Sequence, residues 1–223
     1  GTHHAREHLS TEVPLRLATM LGFYIFCHII MPEPFLGLFL SLAFWSFLSA
    51  WRQPEKRRNW FIWAWVFMGL GCMTKGLHGA AYPLLVAEMM CLVDRSTRPF
   101  WRQLVSPWGI VLFVLICAPW YFYCEYRFPG FLKDHFFNEQ LGHMVNKRFP
   151  PDSNQVPIFS FLVQHLVLFL PWTLFLPTAW LAWRRSIRHE SPQNLFPWKV
   201  IGLWVLITFI TILPSARQDY YTM

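Results

Sequence analysis

The sequence predicts an all-α membrane protein: a polytopic bundle of about seven transmembrane helices, with a short amphipathic surface helix in one outer loop. Three observations carry this. Charged residues make up 14% of the 223 residues, against about 25% in a soluble domain. Aromatic residues reach 19%, with 13 Trp and 22 Phe, and amphipathic rings favour the membrane–water interface. Apolar runs recur along the whole chain, separated by short polar segments.

Seven runs can be marked: Leu15–Met31, Phe35–Trp51, Trp60–Thr74, Leu77–Val93, Leu104–Cys124, Ile158–Trp183 and Val200–Pro214. A helix needs about 17–25 residues to cross a bilayer. The third and fourth are short and are divided only by Lys75–Gly76, which leaves local thinning or a re-entrant hairpin open. The chain reads as one transmembrane domain over 1–223, with an outer loop over 125–157. In that loop Phe131, Leu132, His135, Phe136, Leu141, Met144 and Val145 recur near helical spacing, which predicts a helix over Phe131–Val145 lying along the membrane surface. The polar, Pro-bearing stretch from Arg148 to Val156 reads as a loop.

The basic residues then orient the bundle. If every run spans, 13 of the 19 Lys and Arg fall on one side, among them Arg52, Arg57, Arg98, Arg102, Arg184 and Lys199. The positive-inside bias makes that side cytoplasmic. The formal charge of +7 is therefore an orientation signal, and a nucleic-acid partner is not expected. The five cysteines lie in or at the edge of apolar runs and make no C-x-x-C pair, so they read as small core residues. No P-loop, H-E-x-x-H or G-x-S-x-G motif occurs, so ATP-driven transport has no support.

Chemistry is expected at the opposite, non-cytoplasmic face, because polar groups at the rim of apolar spans are costly. Glu33 stands in the turn Met31-Pro32-Glu33-Pro34. A carboxylate there can bind a cation, orient a hydroxyl or act as a base, or simply cap the next helix. Lys75 lies in the glycine-bearing segment Gly69–Gly76; its ammonium can pair with phosphate or carboxylate, or snorkel to headgroups. His78 lies one turn on. Lys147 and Arg148 form a pair suited to an anionic headgroup, or to lipid phosphates generally. Arg217, Asp219, Tyr220 and Tyr221 follow the last run, compatible with a phosphate site or an interfacial anchor. Glu88 and His165, inside runs four and six, read as bundle-packing residues.

These segments, in this order, resemble the C-type membrane glycosyltransferases, and within them the protein O-mannosyltransferase and lipid A aminoarabinose transferase family. Met31-Pro32-Glu33-Pro34 before an apolar helix is similar to the family's acidic turn. Gly69–Gly76 resembles its G-x-x-x-x-T-K-G segment, and Pro119-Trp120-Tyr121 its P-W-Y helix end. Pro129-Gly130-Phe131-Leu132 with Phe136-Phe137 is similar to its outer-loop surface helix. Pro171-Trp172 resembles a P-W in the following helix, and Ser215 with Tyr221 its S-x-x-x-x-x-Y-x-x-P end. The resemblance covers nearly the whole chain.

The resemblance implies an inverting transfer of a sugar from a polyprenyl-phosphate donor to a protein or glycolipid acceptor, in the bacterial inner membrane. Glu33 would face the donor sugar or acceptor. Lys75, His78, Lys147, Arg148 and Arg217 would contact the phosphate or another anion, and Tyr221 would hydrogen-bond the phosphate. The family's first long outer loop, with its principal acidic motif, precedes the matched segment, so the chain is expected to be a fragment lacking the main catalytic acid. The family pattern often carries Asp where Glu33 stands. No cofactor is assigned, although a divalent metal is compatible with the acidic turn. The competing class is a transporter or flippase for a lipid-linked or anionic solute, which would show an internal repeat and polar groups near the midplane.

Overall fold

The computed structural model describes residues 18–28, 32–142, 145, 147–150, 156–189 and 195–213. Among them there is no β-strand. The helices are α1 (Leu21–Cys27), α2 (Glu33–Arg52), α3 (Arg57–Lys75), α4 (His78–Val93), α5 (Arg98–Arg102), α6 (Pro107–Arg127), α7 (Phe131–Lys133), α8 (Ile158–Leu168), α9 (Leu176–His189) and α10 (Phe196–Ile212). A π-helical segment, Asp134–Gly142, continues directly from α7.

Each expected apolar run thus holds helix. By length and composition α2 and α6 can each cross a membrane, and α8 with α9 makes a third span if the bent pair counts as one. α4 and α10 are shorter apolar helices. The protein is an integral membrane protein of the all-α class.

Local chemistry sets the ends of these helices. Pro34, Pro107 and Pro197 sit in the first turns of α2, α6 and α10, where a missing N–H costs nothing. Gly76, at φ 72° and ψ −147°, stops α3. That backbone region is essentially reserved for glycine. α3 begins three residues before the expected run and ends with Lys75 as its last helical residue, so Lys75 leaves the bundle from a helix end rather than from a loop.

Two boundaries differ from expectation. The sixth run is not one helix: α8 and α9 meet at 94°. Pro171 lies between them, ahead of a 3₁₀ turn at Trp172–Phe175. Proline removes a helix hydrogen bond and clashes with the preceding turn, which favours a break here, although α4 and α6 run through Pro83 and Pro119 without one. The surface helix over Phe131–Val145 also differs in kind. Only its first three residues are α-helical, and the next nine are π-helix, a geometry that is rare and collects at functional sites. Glu88 is exposed on α4 rather than packed in the bundle. His165 is 4% exposed and lies against the rings of Phe161 and Phe209, as its packing role requires.

The core is built on α3, which packs against α2, α4 and α6, while α10 lies on α4. Phe44 and Phe47 of α2, Phe61 and Met68 of α3, Val86 and Met90 of α4 and Val200 of α10 are buried together. One end of the bundle is closed by rings. Trp51 stacks on Phe196 with centroids 4.1 Å apart, Phe47 meets Trp101 edge-on at 4.9 Å, and Arg57 lies over Phe100 at 5.2 Å. Lys199 Nζ donates to Asp94 Oδ2 across 2.9 Å at the same end. Lys199 and Ser96 hold the Asp94 carboxyl down at about 2. Arg57 and Lys199, from two of the basic segments expected to share a side, thus stand at the same end of the bundle.

Candidate active site

The opposite end gathers Glu33, Lys75 and His78. Glu33 opens α2, Lys75 closes α3, and His78 opens α4. Lys75 Nζ donates to Glu33 Oε1 at 2.6 Å, across 42 residues of sequence. Glu33 is 5% exposed, whereas the Lys75 side chain keeps 27% of its surface. The second carboxylate oxygen, Glu33 Oε2, is buried and has no hydrogen-bond partner among the described residues. A buried carboxylate oxygen left in that state is costly and marks a place that a further donor would fill. His78 Nδ1 lies 3.4 Å from the Lys75 carbonyl, and its ring lies 5.9 Å from that of Tyr82.

The α3–α4 hairpin that carries Lys75 is tight because two glycines face each other. A Cβ on Gly79 would fall inside the Gly71–Cys72 peptide, and one on Gly71 would lie 3.0 Å from Gly79 Cα. Small residues at such a crossing let two membrane helices approach to backbone contact. The close approach holds the intervening turn, Gly76–Leu77, at the rim.

The surface helix covers this turn. Glu125, at the end of α6, accepts the N–H groups of Gly130 at 2.9 Å and Leu132 at 2.7 Å, a carboxylate cap on orphan helix donors. The Tyr121 hydroxyl lies 3.4 Å from His135 Nε2, with the donor set by the histidine tautomer. Phe131 stacks on that imidazole with centroids 5.4 Å apart. Asn138 clasps the backbone of Phe149 in both directions, with its Nδ2 donating at 2.6 Å and its Oδ1 accepting at 2.8 Å. Arg148 Nε donates to Glu139 Oε2 at 3.0 Å. Lys147 is exposed, and its backbone N–H donates to the Gly142 carbonyl at 2.7 Å.

The expected site residues are thus partly united. Glu33 and Lys75 form one ion pair with His78 beside it, while Lys147 and Arg148 follow the end of the surface helix, Arg148 already bonded to Glu139. Arg217 and Tyr221 lie outside the described residues. The sequence reading missed Gln140, which is 7% exposed and accepts the Leu77 N–H at 3.2 Å. It also missed Glu139 as the partner of Arg148. The only signal was that both sit in the surface helix beside apolar residues. Among the described residues no group of three His, Cys, Asp or Glu stands together as a metal site.

Burial among Tyr121, Phe131 and Phe136 pushes the His135 imidazole below its ordinary value, although Glu139 and Asp134 pull it partly back. A lowered histidine resists protonation in the docked helix. Docking is therefore fully favoured above the unfolded value of about 6.5 and weakens as pH falls below it. Hydrogen exchange of the segment 131–142 should speed up between pH 7.5 and 5.5, after correction for intrinsic rates, and H135F should remove that dependence.

The family model for dolichyl-phosphate-mannose-protein mannosyltransferase matches residues 13–133 of the chain. The undecaprenyl phosphate-alpha-4-amino-4-deoxy-L-arabinose arabinosyl transferase of Serratia proteamaculans is 25% identical over 178 residues, covering 77% of this chain and 30% of the relative. The transferase of the same name from Pseudomonas paraeruginosa is 29% identical over 173 residues, covering 75% and 29%. The crystal structure of ArnT from Cupriavidus metallidurans bound to undecaprenyl phosphate superimposes with a TM-score of 0.77 at 26% identity, covering 93% of this chain and 36% of that one. Its apo state gives a TM-score of 0.70. The chain spans about a third of the length of these proteins. With more than half of its residues inside the matched model, the chain belongs to the dolichyl-phosphate-mannose-protein mannosyltransferase family.

Proposed function

We propose that the full-length protein is an inverting glycosyltransferase that moves a sugar from a polyprenyl-phosphate donor to a hydroxyl of a protein or glycolipid acceptor. The reaction takes place at the non-cytoplasmic face of the bacterial inner membrane. The observation that carries this reading is the buried Glu33–Lys75 pair at one rim of the bundle, in a chain that superimposes on an undecaprenyl-phosphate-bound relative. The sidedness rests on the positive-inside bias of the opposite end.

In this reaction the acceptor oxygen attacks the anomeric carbon, the bond from that carbon to the phosphate oxygen breaks, and the acceptor proton passes to a base. The departing lipid phosphate gains negative charge as the bond breaks, so a fixed cation beside it lowers the barrier. Lys75 supplies that cation. Its ammonium has three N–H donors and stays partly exposed, and Glu33 holds it at the rim. His78, Lys147, Arg148 and Arg217 are further anion contacts, and Tyr221 hydrogen-bonds the phosphate. The apolar bundle receives the polyprenyl tail.

The test uses membranes containing the full-length protein, a radiolabelled polyprenyl-phosphate sugar and total membrane acceptors. Label moving to lipid A-type glycolipid or to protein, with release of the lipid phosphate, is the expected result. Labelled donor that crosses sealed vesicles without cleavage would identify a flippase instead and overturn the proposal.

A further inference from the structure

We infer that Gln140 is a positioning residue: from the surface helix it clamps the Gly76–Leu77 turn and so sets where Lys75 stands. The inference rests on the transferase reading for its consequence, but the clamp itself is a matter of geometry.

The turn after Lys75 has a problem that its own backbone cannot solve. Gly76 leaves α3 with φ 72°, and its N–H is spent on the Cys72 carbonyl at 2.8 Å. Leu77 stands at the N-cap of α4, where backbone N–H groups have no partner within the helix. The Leu77 side chain offers no capping oxygen, and none of the usual Ser, Thr, Asp or Asn caps stands there. The missing acceptor comes from 63 residues away: Gln140 Oε1, at 3.2 Å.

The same amide lies flat on Gly76. A Cβ built there would come within 2.5 Å of Gln140 Nε2 and 2.8 Å of its Cδ. Gln140 is 7% exposed, although it sits on a helix at the protein surface. A glutamine so placed could have faced water; its burial places it in the structure of the turn.

The clamp is anchored from both directions. Glu125 fixes the start of the surface helix through Gly130 and Leu132. The Asn138–Phe149 clasp and the Arg148–Glu139 bond fix its far part. The π-helical geometry covers both Glu139 and Gln140, so one irregular segment holds the Arg148 partner and the turn clamp side by side. A movement of this segment therefore moves the residue that follows Lys75. Gln140 bonds to the Leu77 N–H, whereas the Lys75 ammonium bonds to Glu33, so Gln140 acts through the turn.

The experiment compares Q140M and Q140E in the full-length protein, alone and on a K75M background. Methionine keeps the length and apolar fit but cannot accept the Leu77 N–H as glutamine does; glutamate keeps an acceptor. Hydrogen exchange of the peptide containing residues 76–81 is read together with transfer of radiolabelled sugar from polyprenyl phosphate.

Q140M should speed exchange in that peptide about fivefold and lower transfer by about 10- to 100-fold, the cost of a small misplacement at a reacting centre. Q140E should restore the slow exchange. On the K75M background Q140M should cause no further loss of transfer, because both changes act on one group. Unchanged exchange in Q140M, or losses that multiply with those of K75M, overturns the inference. A wild type that transfers no sugar would sink the transferase reading alone. Exchange then decides the clamp: faster exchange in Q140M with recovery in Q140E upholds it, and unchanged exchange removes it.

Discussion

Replacing Lys75 by methionine in the full-length protein should lower the rate of sugar transfer from a polyprenyl-phosphate donor by about 10²–10³-fold, the usual cost of losing one preorganised charge-stabilising donor. Two effects add. The leaving phosphate loses its cation, and Glu33, buried to 95% of its surface, loses the ammonium 2.6 Å away. Leaving one member of a buried pair unmatched costs about 3–5 kcal/mol, so K75M should also lower the thermal midpoint in detergent. The double variant K75M/E33Q separates the two. It removes both charges together, so stability should return toward the wild type while transfer stays low. Transfer rates within threefold of the wild type in K75M, measured at equal protein levels, would remove Lys75 from the reaction. E33Q alone keeps an acceptor oxygen for Lys75 but no charge. Its transfer loss should be smaller, about tenfold, through looser placement of the ammonium.

Much of this end of the molecule could be read from hydropathy and charge, but not its pairing. Glu33 and Lys75 were each conspicuous, as charged residues at the rims of apolar runs. Their partnership was not, because hydropathy gives the order of helices and not which ends meet across 42 residues. As separate residues they suggested a base and a phosphate ligand. As a pair, one holds the other. That Arg57 and Lys199 stand at one end followed from counting basic residues, since that rule reports the side of each loop; Asp94 as the partner of Lys199 did not. Gln140 was invisible for the opposite reason: a neutral amide in an amphipathic segment carries no charge signal, and its burial is a tertiary fact. The break at Pro171 was only half legible: the run around it was apolar throughout and its length favoured a single span. Proline disfavours a continuous helix, yet Pro83 and Pro119 lie inside unbroken ones, so packing selects which proline bends the chain.

The glycine crossing of α3 and α4 gives the second large effect. Gly79→Val should destabilise the hairpin by about 1–3 kcal/mol or more, the range found for overpacked cores, because its Cβ has no space short of displacing the Gly71–Cys72 backbone. The displaced group is main chain within a helix, so no side-chain rotation can relieve the clash. The helices must separate, and the turn carrying Lys75 must move with them. Gly71→Ala is the graded comparison. Its Cβ would approach Gly79 Cα at 3.0 Å, which a small shift can absorb, so its effect should be the milder of the two. Gly202→Ala on α10 is the control: nothing lies within 4 Å of a Cβ there. Alanine also favours helix over glycine by up to about 1 kcal/mol, so this variant should be neutral or slightly stabilised. The order G79V, G71A, G202A in thermal midpoint, with transfer falling in the same order, would tie the site to the closeness of the two helices. A wild-type midpoint and wild-type transfer in G79V would show that the hairpin opens without cost, and that the position of Lys75 does not depend on that contact.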